Sequence, residues 1–160
     1  MSLQMSTRSR YGLRLMVDLA LNYGNGSSLL KDVARQEEIS EKYLGQIIIP
    51  LKSSGLIISH RGAHGGYSLA RPPGDITVKD VVEAIEGVIA PVPCVDPSAG
   101  AGPGECGGNP AGCGRATSCV AIRVWKRLRE DIVHSLSSFT LAALAQQARE
   151  LGQPAENYVI

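Results

Sequence analysis

The stretch ISEKYLGQIIIPLKSSGLIISHRGAHGGYSL, residues 39–69, decides the fold of this chain. Ser40 is a residue type that caps helix N-termini, and Leu44, Ile47, Ile48 and Leu51 follow at helical spacing, which predicts a helix from Ser40 to Ser53 with one buried stripe. Lys42, Gly45, Gln46, Ile49 and Lys52 then lie away from the core. Gly55 stops that helix. Leu56 to His60 and Gly66 to Ala70 have the composition of two strands, joined by the hairpin tip Arg61-Gly62-Ala63-His64-Gly65. A helix with polar residues in its first turns, followed by a two-strand hairpin with a basic tip, is the layout of a winged helix-turn-helix.

The flanking sequence supplies the rest of such a head. Tyr11 to Tyr23 sets Leu13, Met16, Val17, Ala20 and Leu21 at helical spacing before the stop Gly24-Asn25-Gly26. Leu29 to Arg35 predicts a short second helix with Leu30, Val33 and Ala34 inward, and Gln36 to Ile39 makes the turn into the third. Beyond Pro72-Pro73-Gly74, a helix runs from about Ile76 to Glu86 with Val78, Val81, Val82 and Ile85 apolar. Glycine and proline then crowd the sequence up to about Ser118, which predicts loop. A long amphipathic helix, Val120 to Ser137, carries Ala121, Val124, Trp125, Leu128, Ile132 and Leu136 on one side, and Thr140 caps a last helix ending near Gly152. The expected fold class is mostly α with a small β wing: a winged helix-turn-helix head plus a long dimerisation helix. Its expected divisions are 5–86 for the DNA-binding head, 87–119 for a loop, 120–152 for dimerisation helices and 153–160 for a tail.

At 160 residues the chain holds one compact core with an appendage. No run of eighteen apolar residues and no signal-peptide pattern occur, so no membrane contact and a cytoplasmic location are expected. Met1 to Gln4 add nothing to the pattern, and Met5 reads as the natural start. The net charge of +1 conceals an asymmetry: residues 1–71 hold nine Lys/Arg against five Asp/Glu, and residues 72–160 hold seven against ten. A basic head on an acidic body suits a nucleic-acid partner. Catalysis is not expected, because His60 and His64 fall on the wing and His134 on a long helix, with no nucleophile and base in register.

In the third helix, Gln46 can pair bidentately with adenine, Lys42 can reach guanine or phosphate, and Tyr43 can contact a phosphate or a thymine methyl. Arg61 beside Gly62 suits a narrow minor groove. Each of these alone reads more readily as a solvated helix face or an ordinary turn arginine; their joint order and spacing favour DNA.

All four cysteines, Cys94, Cys106, Cys113 and Cys119, fall in the Gly/Pro-rich loop at separations of twelve, seven and six residues. Clustered thiols in a chain without an export signal point to metal binding or a redox switch rather than a lasting disulfide. Soft thiolates suit iron-sulfur clusters and zinc, and the lack of a Cys-x-x-Cys knuckle disfavours structural zinc.

Ser6-Thr7-Arg8-Ser9-Arg10-Tyr11-Gly12, Ile39 to Gln46, Gly55-Leu56-Ile57, the wing Arg61 to Leu69 and Glu86-Gly87 together resemble the Rrf-two family of bacterial winged-helix regulators, the group of IscR, NsrR and CymR. The resemblance runs from Ser6 to about Leu151. It implies a homodimer, held by the long helix around Trp125, that binds a pseudo-palindromic double-stranded operator, with Thr7, Arg8, Arg10, Tyr11, Ser40, Lys42, Tyr43, Gln46, Arg61, Gly62 and His64 at the DNA. Many IscR-like members carry Glu where this chain has Gly45, so a different operator sequence is implied. The resemblance further implies a transcriptional repressor whose cluster ligands are Cys94, Cys113 and Cys119. Ile122 stands where IscR-like proteins have a ligand histidine and Arg10 where NsrR-like proteins have an aspartate, which leaves Cys106 as a fourth ligand, an alternative ligand or a resolving thiol. The implied cofactor is an iron-sulfur cluster, two-iron two-sulfur or four-iron four-sulfur, that protein purified in air can lose. CymR-like relatives give the other reading: a cysteine-metabolism repressor controlled by thiol redox or by a cysteine-biosynthesis enzyme, with Tyr158-Val159-Ile160 as the segment such a partner would take.

Overall fold

The computed structural model describes residues 5–62, 65–98 and 118–152. Six helices and one hairpin are built from them: α1 (Thr7–Leu21), α2 (Leu30–Gln36), α3 (Glu41–Ser53), β1 (Ile57–His60), β2 (Gly66–Leu69), α4 (Val78–Glu86), α5 (Ala121–Ser137) and α6 (Leu141–Glu150), with single 3-10 turns at Pro73–Asp75 and Pro93–Val95.

Helix α1 begins four residues earlier than its apolar periodicity predicts. Its first turn is polar and is set by a cap, the Ser6 hydroxyl oxygen accepting from the Ser9 N–H at 3.2 Å. Ser40 caps α3 in the same way through the Tyr43 N–H, and Thr77 forms a capping box with Asp80 at the head of α4. Pro50 lies inside α3, where it removes one backbone donor, yet the helix continues to Ser53.

The core contains most of the predicted stripe residues, with Leu15 and Leu19 added and Leu13, Leu30 and Ile85 only partly buried. Leu15, Met16, Val17 and Leu19 of α1 meet Val33 and Ala34 of α2, Leu44, Ile47 and Leu51 of α3, Ile57 and Leu69 of the hairpin, and Val81 of α4. At roughly 1.5–3 kcal/mol for each fully buried large aliphatic side chain, this cluster dominates the stability of the head. Gly12 lets α4 approach α1: a Cβ there would stand 2.2 Å from Ile85 Cδ1.

The hairpin pairs Ile57 with Leu69 and His60 with Gly66. A third, one-residue edge is added by Ser28, which exchanges two backbone bonds of 2.9 Å with Tyr67. The wing is thereby pinned to the segment that enters α2.

The C-terminal helices divide their apolar residues differently from the sequence expectation. Helix α6 folds back onto α1, burying Leu141, Ala145 and Ala148, and the Arg149 guanidinium donates to the Leu21 carbonyl at 3.1 Å. Thr77 and Thr140 bridge the entry of α6 to the entry of α4. Helix α5 buries only Ile122, which lies off the stripe read from the sequence; Val124 and Trp125 of that stripe are 61% and 36% exposed, and Leu128, Ile132 and Leu136 are half-buried. The first half of that stripe thus faces solvent, while α5 also packs against α4 and the Pro93–Val95 turn. Among the described residues no helix is long and apolar enough to cross a membrane.

Candidate functional site

The side of α3 opposite its buried stripe presents Glu41, Lys42, Gln46 and Ile49 to solvent. The first turn of α1 lies beside it and exposes Thr7, Arg8 and Arg10. The two helices are tied by an aromatic contact: Tyr11 and Tyr43 meet edge to face, centroids 6.1 Å apart at 89°. The guanidinium groups of Arg10 and Arg14 lie 5.3 and 5.5 Å from the Tyr11 ring centre. Tyr11 and Tyr43 are thus half-buried joints between the helices, and the Ser40 hydroxyl oxygen is engaged as a cap. Lys42, Gln46, Thr7, Arg8 and Arg10 are the side chains free to reach outward.

The wing carries a further exposed cation. Arg61 and Gly62 follow β1 and are exposed, with φ of +102° at Gly62, and the Gly65 N–H donates to the Gly62 carbonyl at 2.9 Å to close the tip. His64 lies outside the described residues. The Lys52 ammonium donates to the Ser59 hydroxyl at 2.8 Å, fixing the end of α3 to β1, and His60 Nε2 is 2.8 Å from the Ser68 hydroxyl. The ion pairs of the described residues, Arg14–Glu37, Arg35–Asp32, Lys79–Glu83 and Arg127–Asp131, do not involve Arg8, Arg10, Lys42 or Arg61. Among the described residues these four cationic groups form no salt bridge, although Arg8 lies near Glu86, and exposed cations of this kind can neutralise phosphates and release counterions.

Three features here escaped the sequence reading. Ser28 pins the wing, and only the polar run Ser27-Ser28 before α2 hints at it. Asp18 is buried under the turn between α1 and α2. Its burial pushes the carboxyl up to about 6, against the pull of hydrogen bonds from Ser28 and Asn22 and with added repulsion from Glu37. Glu86, the last residue of α4, accepts hydrogen bonds on one carboxylate oxygen from the hydroxyls of both Ser6 and Ser9. Desolvation alone would raise the Glu86 carboxyl, but these hydrogen bonds and the nearby Arg8 hold it below the usual carboxylate range.

The described thiols sit at the two ends of the cysteine-bearing segment. Cys94 lies on the Pro93–Val95 turn, which packs against α5, and Cys119 lies just before α5; both are free and half-buried. Val95, Asp96 and Pro97 with Lys126, Arg129 and Glu130 of α5 line a cavity of about 360 Å³ beside Cys94. Cys106 and Cys113 lie outside the described residues, among which no three His, Cys, Asp or Glu come together as a metal-holding group.

The profile of the family described as "Rrf2: Iron-dependent Transcriptional regulator" matches residues 5–147. Protein rrf2 of Nitratidesulfovibrio vulgaris is 38% identical over 146 residues, covering 91% of this chain and 89% of that protein. The HTH-type transcriptional regulator CymR of Bacillus subtilis is 36% identical over 143 residues, covering 89% and 90%. The solved structure of T. potens IscR superposes with a TM-score of 0.70 at 33% identity, covering 96% of this chain and 93% of that one. With a profile matched over residues 5–147 and relatives that are named transcriptional regulators, this chain belongs to the Rrf2 family of transcriptional regulators.

Proposed function

We propose that the chain is a homodimeric repressor that binds a pseudo-palindromic operator through two winged heads and senses an iron-sulfur cluster held between Cys94 and Cys119, with genes of iron-sulfur or sulfur metabolism as its targets. The observation that carries the DNA part is the exposed side of α3 with Lys42 and Gln46 and the exposed first turn of α1 with Arg8 and Arg10, joined by the Tyr11–Tyr43 contact, with Arg61 exposed on the wing. Gln46 and Lys42 are our base-reading side chains, and Arg61 enters the minor groove. Thr7, Arg8 and Arg10 hold phosphate. The apolar side of α5, with Val120 78% and Val124 61% exposed, supports this helix as the dimer contact. Residues 5–86 then act as the head and 87–119 as the sensor segment.

The donor set suits the proposed cofactor. Cys94 is a free thiol on a turn packed against α5 and Cys119 a free thiol just before that helix, and soft thiolates are the ligands iron-sulfur clusters use. Cys113 and Cys106 would complete the set. When bound, the cluster supplies bonding that is sensitive to iron supply and oxidation. The chain's own residues then set α5 at two places: Cys119 precedes its start, and at its middle Arg129 Nε donates to the Ile89 carbonyl at 2.9 Å.

A second reading has its own support. The 36% identity to CymR and the two free thiols favour a cysteine-metabolism repressor controlled by thiol redox or by a protein partner. Selection from a random duplex pool with anaerobically purified protein tests the DNA function: enrichment of a palindrome supports it, and no enrichment contradicts it. Palindrome binding by a sample without iron and sulfide, unchanged when cluster assembly is attempted in vitro, would transfer the case to the CymR-like reading.

A further inference from the structure

Helix α1 has no acidic residue of its own in its first turn, although that turn carries Thr7, Arg8 and Arg10 and would gain from a nearby anion at its positive end. The anion comes from another element. Glu86 reaches across from the C-terminal end of α4 and accepts from the Ser6 and Ser9 hydroxyls on one oxygen. Ser9 is 3% exposed, so its hydroxyl finds its acceptor in an otherwise exposed Glu86, and Ser6 is also the cap of the helix. Glu86 therefore holds the first turn at two points on consecutive sides of Arg8. On its other side, Gly87 turns the chain with φ of +87°, a conformation suited to glycine, and three residues after Glu86 the Ile89 carbonyl accepts from Arg129 of α5.

We infer that Glu86 is a positioning residue for DNA binding: its carboxylate clamps Ser6 and Ser9 so that Thr7, Arg8 and Arg10 face the phosphate backbone in fixed register. The inference rests on the DNA-binding reading above. Glu86 does not itself touch DNA; a carboxylate there would repel phosphate. Its contribution comes through α1, and the segment from Glu86 to Ile89 is hydrogen-bonded to α1 at one end and to α5 at the other, so the settings of α5 and of the DNA-contacting turn share one short stretch of chain.

The test measures affinity for a short random-sequence duplex as a function of salt, using full-length wild type, Glu86→Ala, Glu86→Gln, Ser9→Ala and the Glu86→Ala/Ser9→Ala double variant. Each phosphate contact contributes about 0.9 to the slope of log affinity against log salt. Loss of register at Arg8 and Arg10 should lower the slope of Glu86→Ala by about one to two, with affinity about tenfold weaker at moderate salt. Ser9→Ala should move the slope in the same direction, the double variant should add little to Glu86→Ala, and Glu86→Gln, which keeps the acceptor oxygen, should recover much of the slope. A residue that only stabilised the fold would lower the melting temperature and leave the slope of the folded fraction unchanged. An unchanged slope in Glu86→Ala and Ser9→Ala, or a rise in affinity from removing a repulsive charge, overturns the inference while leaving the DNA reading intact. Absence of salt-dependent binding by the wild type would instead remove the DNA reading on which it rests.

Discussion

Replacing Gly66 by alanine should unpin the wing. Gly66 has φ of +142°, and a methyl group there would stand 2.5 Å from the Ser28 carbonyl oxygen, 2.9 Å from its carbonyl carbon and 3.1 Å from the Ser27 hydroxyl oxygen. Two of these neighbours are backbone atoms, so no rotamer change relieves the contact. The backbone conformation costs a non-glycine residue about 1–3 kcal/mol. Displacing Ser28 also weakens its two bonds with Tyr67, worth roughly 1 kcal/mol each. Since the chain can relax by sacrificing one term to spare another, the net loss should be about 2–4 kcal/mol, or about 5–15 °C in melting temperature for a chain of this size. The same substitution at Gly45 is the control: nothing lies within 4 Å of a Cβ there, and an alanine inside α3 should add about 0.5–1 kcal/mol. Urea unfolding followed by circular dichroism gives both values. Shifts of the same sign in the two variants, or a Gly66→Ala change below about 0.5 kcal/mol, would refute the reasoning.

The remaining predictions concern charge, base reading and assembly. Asp18 has its carboxyl raised in the folded chain, from 3.8 to about 6, so protonation stabilises the fold; that contribution is full below the unfolded value and lost as pH rises through about 6. Asp18→Asn should flatten the stability profile between pH 4 and 7 and raise stability at pH 7 by up to about 2–3 kcal/mol, whereas parallel pH profiles would contradict the burial argument. Gln46→Ala should cost about 1–3 kcal/mol at one position of each selected half-site and leave other positions unchanged, as read from affinities for single-base variants. Val124→Glu places a charge on the uncovered side of α5 and should convert dimer to monomer in sedimentation; an unchanged sedimentation coefficient would move the dimer contact elsewhere.

The head was legible because its signals agree across levels. The spacing of Leu44, Ile47, Ile48 and Leu51 gives the buried stripe of α3, and the caps Ser40 and Thr140 mark the starts of their helices. The start of α1 was misplaced because Thr7 to Arg10 carries no apolar periodicity; a cap and a distant carboxylate hold that turn. Amphipathicity alone could not tell that α6 turns its apolar side into the same-chain core while α5 leaves its own exposed, since both helices show helical spacing of apolar residues. At the candidate site, Lys42, Gln46 and Arg61 are exposed, whereas Tyr43 and Tyr11 use their rings to join two helices. Ser28 and Glu86 act through partners 39 and 77 or 80 residues away in sequence, a separation that no local pattern encodes.

The sensor reading is tested most directly by iron and acid-labile sulfide content, with the visible spectrum, of protein purified without oxygen beside a Cys113→Ala/Cys119→Ala variant. Iron and sulfide near one cluster per subunit, with absorbance lost in the variant, is the predicted result. A colourless wild-type protein holding zinc or only free thiols would contradict it and leave a repressor governed by thiols or by a protein partner.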